Sequence, residues 1–470
     1  MDARSAATLA RIDGFVASTR SALFVRPADR LLLIRPDRTM GLNASAVTIM
    51  SALYERGAGP ASAVLGGLAP ALGTDLETLV HDTGDLVEAV AALLNQDYSP
   101  RPGIRFGVFD RSLVQYPTLA EIALTYGCQN RCSFCYAASP YRQGEHRLMS
   151  SDQVRLVMDK IFYQAHVPSL SFTGGEATLR PDLPALIAHG RELGFRVNLI
   201  TNGVRLADEG YARSLVEAGL DSAQVSLEAG EARIHDAIAG RPGAFRATVA
   251  GVGNLRRLGI HVHTNATLCA ANLKAAADLI RFVARGLGME TMSMNMVIRT
   301  GVARASQGVE VSYTEVAERL PRLLEVAVEE GVRLVWYSPL PYCIFNPVLH
   351  GLGAKSCACI DGILSVDPSG QVLPCSSFGS GIGSLLERSF TAIYRSPAAR
   401  FWRDKEFVPP VCRGCSDVDV CAGACPLYWD AAGSFEEIPR PGAGDPGRRR
   451  SWERRRRRGS SYGVPAPTCR

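Results

Sequence analysis

Three cysteines fall within eight residues, in the run Cys128-Gln-Asn-Arg-Cys132-Ser-Phe-Cys135. At this C-x₃-C-x₂-C spacing one loop can turn three thiolates toward a single point. Three sulfurs leave a cluster of four irons one ligand short, and the open iron is a place where a small molecule binds and receives an electron. A zinc knuckle or a set of buried thiols is the plainer alternative, but zinc asks for a fourth protein ligand close by. The chain holds thirteen cysteines, eleven of them in the segments 128–135 and 343–425. Disulfides do not persist in a reducing compartment, so metal ligation is the better reading of so many. The first twenty residues lack the apolar run of a signal peptide, and no window approaches the roughly 18 apolar residues of a membrane span. The chain therefore reads as cytoplasmic, with no membrane partner.

What surrounds the cysteine run limits the fold further. Apolar, strand-like runs recur at 121–126, 168–173, 195–200, 222–227, 260–268 and 291–297, with amphipathic helical patterns between them. Such alternation predicts a parallel sheet with crossover helices, and six units are too few to close an eight-stranded barrel. The expectation is an α/β fold: an open, partial (β/α)6 barrel with its chemistry at the C-terminal strand ends. Cys128 follows the first of these strands. The run Leu170-Ser-Phe-Thr-Gly-Gly-Glu176 forms the second and ends in two glycines and an acid. Glycines allow close backbone approach to a ligand, and a carboxylate pairs with an amine.

Ahead of the barrel, residues 22–26 and 30–35 read as two strands joined by a Pro-Ala-Asp turn. A third strand begins near Met40, Asn43 or Ser45 caps a helix over 44–56, and a second helix covers 76–94. Residues 97–120 are Pro-rich and aperiodic, as a linker would be. The formal charge of +5 is misleading, because residues 439–470 carry ten arginines against Asp445 and Glu453. Without that tail the balance is slightly acidic, so the body offers no electrostatic case for nucleic acid. The tail's Gly, Pro and Arg bias predicts disorder.

Taken together, the cysteine run, Phe134 within it and the Gly-Gly-Glu stretch resemble the radical S-adenosylmethionine (SAM) superfamily. The resemblance implies that Cys128, Cys132 and Cys135 hold a 4Fe-4S cluster that binds SAM and cleaves it reductively to a 5′-deoxyadenosyl radical. It implies further that Phe134, Gly174, Gly175, Glu176, Asn202, Ser226 and Glu228 contact the cofactor, with Asn265 a weaker candidate. Ala177 stands where the family has proline, which loosens the turn. His235-Asp-Ala-Ile-Ala-Gly240-Arg-Pro-Gly-Ala-Phe245 resembles a stretch of the peptide-modifying members.

Two flanking segments extend the resemblance. Residues 1–100 are similar to the winged-helix-like PqqD-type peptide-recognition domains, which bind a leader peptide by β-strand addition, with a plain winged-helix-like packing module as the alternative. From 337 the chain resembles the SPASM extension: Cys357, Gly370 and Cys375 match its first half, and Cys412, Cys415, Cys421 and Cys425 its second. A zinc ribbon is the alternative for these thiols. The SPASM resemblance implies one or two auxiliary 4Fe-4S clusters. Cys343, Cys357, Cys375 and Cys425 would hold the first. Cys412, Cys415 and Cys421 would hold the second with one ligand from further on, for which Cys469 remains. Cys359 is left as a spare or alternative ligand and Cys269 as a buried small hydrophobe. The implied domains are 1–100, a linker at 101–120, the radical SAM core at 121–336, SPASM at 337–436 and a tail at 437–470. The implied function is modification of a ribosomally made precursor peptide bound by the N-terminal domain, with flavodoxin or ferredoxin as electron donor. Haem or other cofactor biosynthesis, sulfatase-type maturation and a non-catalytic cluster scaffold are the other readings.

Overall fold

The protein is described from a computed structural model covering residues 2–35, 38–95, 97, 99, 113–137 and 147–439. Most of the linker and nearly all of the arginine-rich tail, Cys469 included, lie outside the described residues. The chain divides into two compact units, residues 1–118 with 166–169, and the remainder. Among the described residues no helix is long and apolar enough to cross a membrane.

In the first unit, strands β1 (Leu23–Arg26), β2 (Leu31–Ile34) and β3 (Arg38–Gly41) form an antiparallel sheet with β2 in the middle. All four residues of β2 are buried. An uninterrupted Leu-Leu-Leu-Ile run suits a strand covered on both faces. Among the described residues four helices accompany the sheet: α1 (Ala3–Thr19), α2 (Ala44–Tyr54), α3 (Ala61–Leu68) and α4 (Leu76–Leu94). Asn43 and Asp75 cap α2 and α4 by accepting the N–H groups of Ala46 and Thr78. Helices α1 and α3 are additions to the sequence reading. Asp2 caps α1, and Leu9, Ile12 and Val16 bury one stripe of it against Ile49, Leu65 and Val80. Four large apolar residues, Leu9, Ile12, Phe15 and Val16, among small and polar ones give a weak periodic signal.

The second unit is built on one ten-stranded sheet, in the order β10-β9-β8-β7-β6-β5-β4-β11-β12-β13. Strands β4 (Leu119–Thr125), β5 (Ser169–Gly174), β6 (Arg196–Thr201), β7 (Ser222–Ser226), β8 (His261–Leu268) and β9 (Thr291–Met296) coincide with the six expected runs. Helices return the chain between them, and their apolar stripes, such as Val154, Val157, Ile161 and Leu183, Leu186, Ile187, are fully buried. A seventh parallel strand, β10 (Arg333–Trp336), lies beyond β9. At the opposite side β11 (Ile363–Val366) pairs parallel to β4, and β12 (Gln371–Leu373) and β13 (Gly383–Ser384) continue antiparallel. The later chain thus covers the edge that a six-stranded partial barrel leaves open at its first strand. Met289, Met292, Met294 and Met296 are core residues.

Candidate active site

The Cys128–Cys135 loop leaves the end of β4 and is held from three sides by backbone bonds. Arg131 and Ser133 donate their N–H groups to the carbonyls of Ala239 and Ile238, at the end of the Ala232–Ala239 helix. These are carbonyls that a helix C-terminus leaves without partners of its own. Gly240 follows at φ +61, and a Cβ there would sit 2.4 Å from the Arg131 carbonyl oxygen. The His235–Phe245 stretch therefore acts as a rest for the cysteine loop. From the other side Val302 donates to the Cys135 carbonyl.

The third support is the Gly-Gly-Glu run. Gly175 and Glu176 donate their N–H groups to the carbonyls of Thr125 and Gly127, at 2.7 and 2.8 Å. A Cβ on Gly175 would lie 2.5 Å from the carbonyl oxygens of both Tyr126 and Gly127. The close approach these glycines permit is thus to the chain's own backbone, at the root of the cysteine loop.

Glu176 is turned inward as well, only 1% exposed. Its Oε1 accepts from the Thr178 N–H, the Thr178 hydroxyl and the Thr201 hydroxyl, and its Oε2 from the Asn202 N–H. Burial raises its pKa, and these bonds oppose the rise. Ala177, in the family's proline position, opens a short 3-10 turn. Asn202, following β6, carries the linkage back to the cysteines. Its Nδ2 donates to the Cys128 sulfur at 3.5 Å and its Oδ1 accepts from Gln129 Nε2 at 3.0 Å. Gln129, Thr178 and Thr201 escaped the sequence reading, although Thr201-Asn202-Gly203 at a strand end was a usable signal.

Phe134 and Ser226 are half-buried, and Ser226 faces Asn265 across β7 and β8. Asn265 is occupied by Ser293 and Asn295. Glu228 follows β7 and accepts the Thr267 N–H, while its own N–H donates to His235 Nδ1. Burial lifts the Glu228 carboxyl to about 8.

The three loop thiols perturb one another and lie near Glu228 and Glu176. Burial pushes Cys128 up to about 11, with Glu176 and Cys135 adding to the rise. Burial, Glu228, Cys135 and Cys128 hold Cys132 well above the ordinary thiol range. Such a set resists ionising by itself and needs a cationic centre to become thiolate. Three soft donors converging from one loop fit an iron–sulfur cluster with one iron left to another ligand.

The remaining thiols form two further groups. The Cys357 and Cys359 sulfurs are 3.2 Å apart, Cys375 hydrogen-bonds Cys359, and Cys425 interacts electrostatically with Cys357 and Cys375. Cys343 instead interacts with Cys421 and Cys415, and Cys412 with Cys421, Cys343 and Cys415. This departs from the implied grouping, which put Cys343 with Cys357 and left Cys359 spare. Cys269 is fully buried. Among the described residues no three His, Cys, Asp or Glu side chains are drawn together as one metal ion requires.

Two family profiles fall on these groups. The radical SAM superfamily profile matches residues 122–283, and the SPASM iron–sulfur cluster-binding profile matches 357–416. The chain is a radical SAM enzyme of the SPASM subgroup. A 4Fe-4S cluster, SAM and auxiliary iron–sulfur clusters are its cofactors. Among relatives of this radical SAM enzyme, the AdoMet-dependent heme synthase of Methanosarcina barkeri is 28% identical, over 70% of this chain and 99% of its own. The PqqA peptide cyclase of Rhizobium meliloti is 29% identical, over 70% of this chain and 87% of its own. Streptococcus suis SuiB, solved with its precursor peptide SuiA, shares the fold at TM-score 0.65 and 13% identity, over 90% of this chain and 98% of its own.

Proposed function

We propose that this radical SAM enzyme modifies a side chain of a ribosomally made precursor peptide, whose leader adds as a fourth strand to the first unit. One observation carries the reading: the exposed outer edge of β3. Leu42 donates to the Arg30 carbonyl directly opposite, so in the β2–β3 register Leu32/Met40 are bonded partners while Thr39 and Gly41 turn their backbone groups outward. No described strand pairs with that edge, and both residues are exposed. The outward residues of β1, Leu23 and Val25, are buried. Backbone pairing along β3 supplies affinity and neighbouring side chains supply selectivity. This moves the docking edge from the 22–35 strand pair to β3. The PqqD-like resemblance supports it, as does the fold shared with SuiB over most of the chain.

The core residues divide the remaining work. Cys128, Cys132 and Cys135 are the ligands of the SAM-binding cluster. When bound, the cluster and SAM supply one-electron chemistry able to attack an unactivated C–H bond. Asn202 holds Cys128 in place and Glu176 holds Asn202. The Gly174-Gly175 backbone fixes the loop against β5. Phe134, Ser226 and Glu228 line the cofactor's surroundings, and burial raises the Glu228 carboxyl to about 8. A flavodoxin or ferredoxin delivers the electron.

The test uses the whole reconstituted chain and a labelled leader from a short reading frame beside its gene. Thr39→Pro removes an outward N–H without cutting the β2–β3 ladder. It should weaken leader binding at least about tenfold and leave substrate-free SAM cleavage unchanged. Unaltered leader affinity defeats the reading. The heme synthase relatives favour one other reading, conversion of a haem precursor. Turnover of such a precursor by a chain that binds no leader would select it.

A further inference from the structure

The two auxiliary cysteine groups are not divided as the SPASM pattern implies. We propose that Cys343, which precedes the pattern, is the fourth ligand of the cluster held by Cys412, Cys415 and Cys421, and that Cys359 completes the cluster held by Cys357, Cys375 and Cys425. Each cluster then has four thiolates, and neither draws on the C-terminal tail.

The geometry behind the Cys343 assignment is a local clasp. The Tyr342 N–H points at the Cys421 sulfur at 3.4 Å, and the Leu340 carbonyl lies 3.7 Å from the same atom. Cys343 is next in the chain, so the turn that grips Cys421 also delivers a second thiol beside it. Tyr342 is pinned in turn, its hydroxyl accepting the Lys355 N–H at 2.9 Å. Cys412 and Cys415 reach the same place through their own turn, in which the Cys415 N–H donates to the Cys412 carbonyl. Cys421, Cys343 and Cys415 are the thiols that act electrostatically on Cys412, so the four lie close enough to serve one polynuclear centre.

The other group is closed in a different way. The Cys357–Cys359 segment is held by Lys405, a buried ammonium that donates to the Cys357 carbonyl at 2.8 Å and pairs with Asp361 at 2.8 Å. Tyr313, fully buried, accepts the Cys425 N–H at 3.2 Å and packs on Tyr428 and Trp429. Cys357 and Cys359 are both buried, whereas Cys343 is exposed. The two clusters should therefore differ in solvent access. Of the two, the one bound through Cys343 is open to chelators and oxygen.

The assignment is independent of the substrate and is tested on the full chain by iron and sulfide analysis with Mössbauer and EPR spectra after anaerobic reconstitution. Cys469→Ala should retain the full complement of three clusters. Cys343→Ala and Cys359→Ala should each lose about a third of the iron, and their spectra should lack different auxiliary signals. Cys343→Asp guards against misfolding, since a carboxylate in that place should restore the iron while altering the signal of that one cluster. A chelator should strip the Cys343-bound cluster first. Loss of a cluster in Cys469→Ala, or full iron with unaltered spectra in Cys343→Ala, overturns the assignment. So does the loss of the same auxiliary signal from the Cys343 and Cys359 variants.

Discussion

Glu176→Gln separates two roles for the acid of the Gly-Gly-Glu run: ligand to a cofactor amine, or internal tie between strand ends. All four groups bonded to the carboxylate are donors, two hydroxyls and two backbone N–H groups. Glutamine replaces one acceptor oxygen with an NH₂. If that NH₂ takes the Oε1 position, the Thr178 and Thr201 hydroxyls can rotate to accept, but the Thr178 N–H cannot. If it takes the Oε2 position, the Asn202 N–H loses its acceptor. Either way one buried backbone N–H is orphaned, at a cost of about 1–3 kcal/mol. Removing a buried charge returns part of this, because burial disfavours the ionised form. The expected net loss is about 1–2 kcal/mol, or a few degrees in the unfolding midpoint. Denaturation of the cluster-free chain without SAM, followed by circular dichroism, measures it. Unchanged stability together with weakened SAM binding would refute the internal tie and return Glu176 to the amine.

Arg26 and Asp29 form a fully buried ion pair in the first unit, and Arg26 also donates to the Pro117 and Tyr116 carbonyls. Arg26→Met should cost about 3–5 kcal/mol by stranding Asp29, and Arg26→Met with Asp29→Leu should recover much of it; chemical denaturation reads both. His235 has its pKa lowered to about 4, chiefly by burial. A folded pKa below the unfolded value of 6.5 gives stability that is complete above 6.5 and lost as pH falls toward 4. His235→Gln should flatten the stability profile across that window, checked by unfolding midpoints at stepped pH. Lys405 places a positive charge beside Cys357. Lys405→Met should lower the reduction potential of the cluster at Cys357 and spare the others in a spectroscopic redox titration.

Much of the molecule was legible in its residues because the signals were local. The six strand runs are set by period and length, and the Cys128–Cys135 spacing closes within a single loop. Both survive any tertiary arrangement that forms the parallel sheet. The cap at Asn43 is likewise read from neighbouring residues.

Only the tertiary structure decided what depends on distant segments meeting. The α1 helix stays hidden until its sparse stripe finds Ile49 and Leu65. Strand β11 is a plain apolar run until it covers the edge of β4. Glu176 looks like a free ligand until Thr201 and Asn202 arrive from the next strand. Tyr342 and Cys421 are 79 residues apart, and no spacing rule connects them. Their contact decides which cluster Cys343 faces, because thiol ligands are chosen by distance in the folded chain and not by order along it.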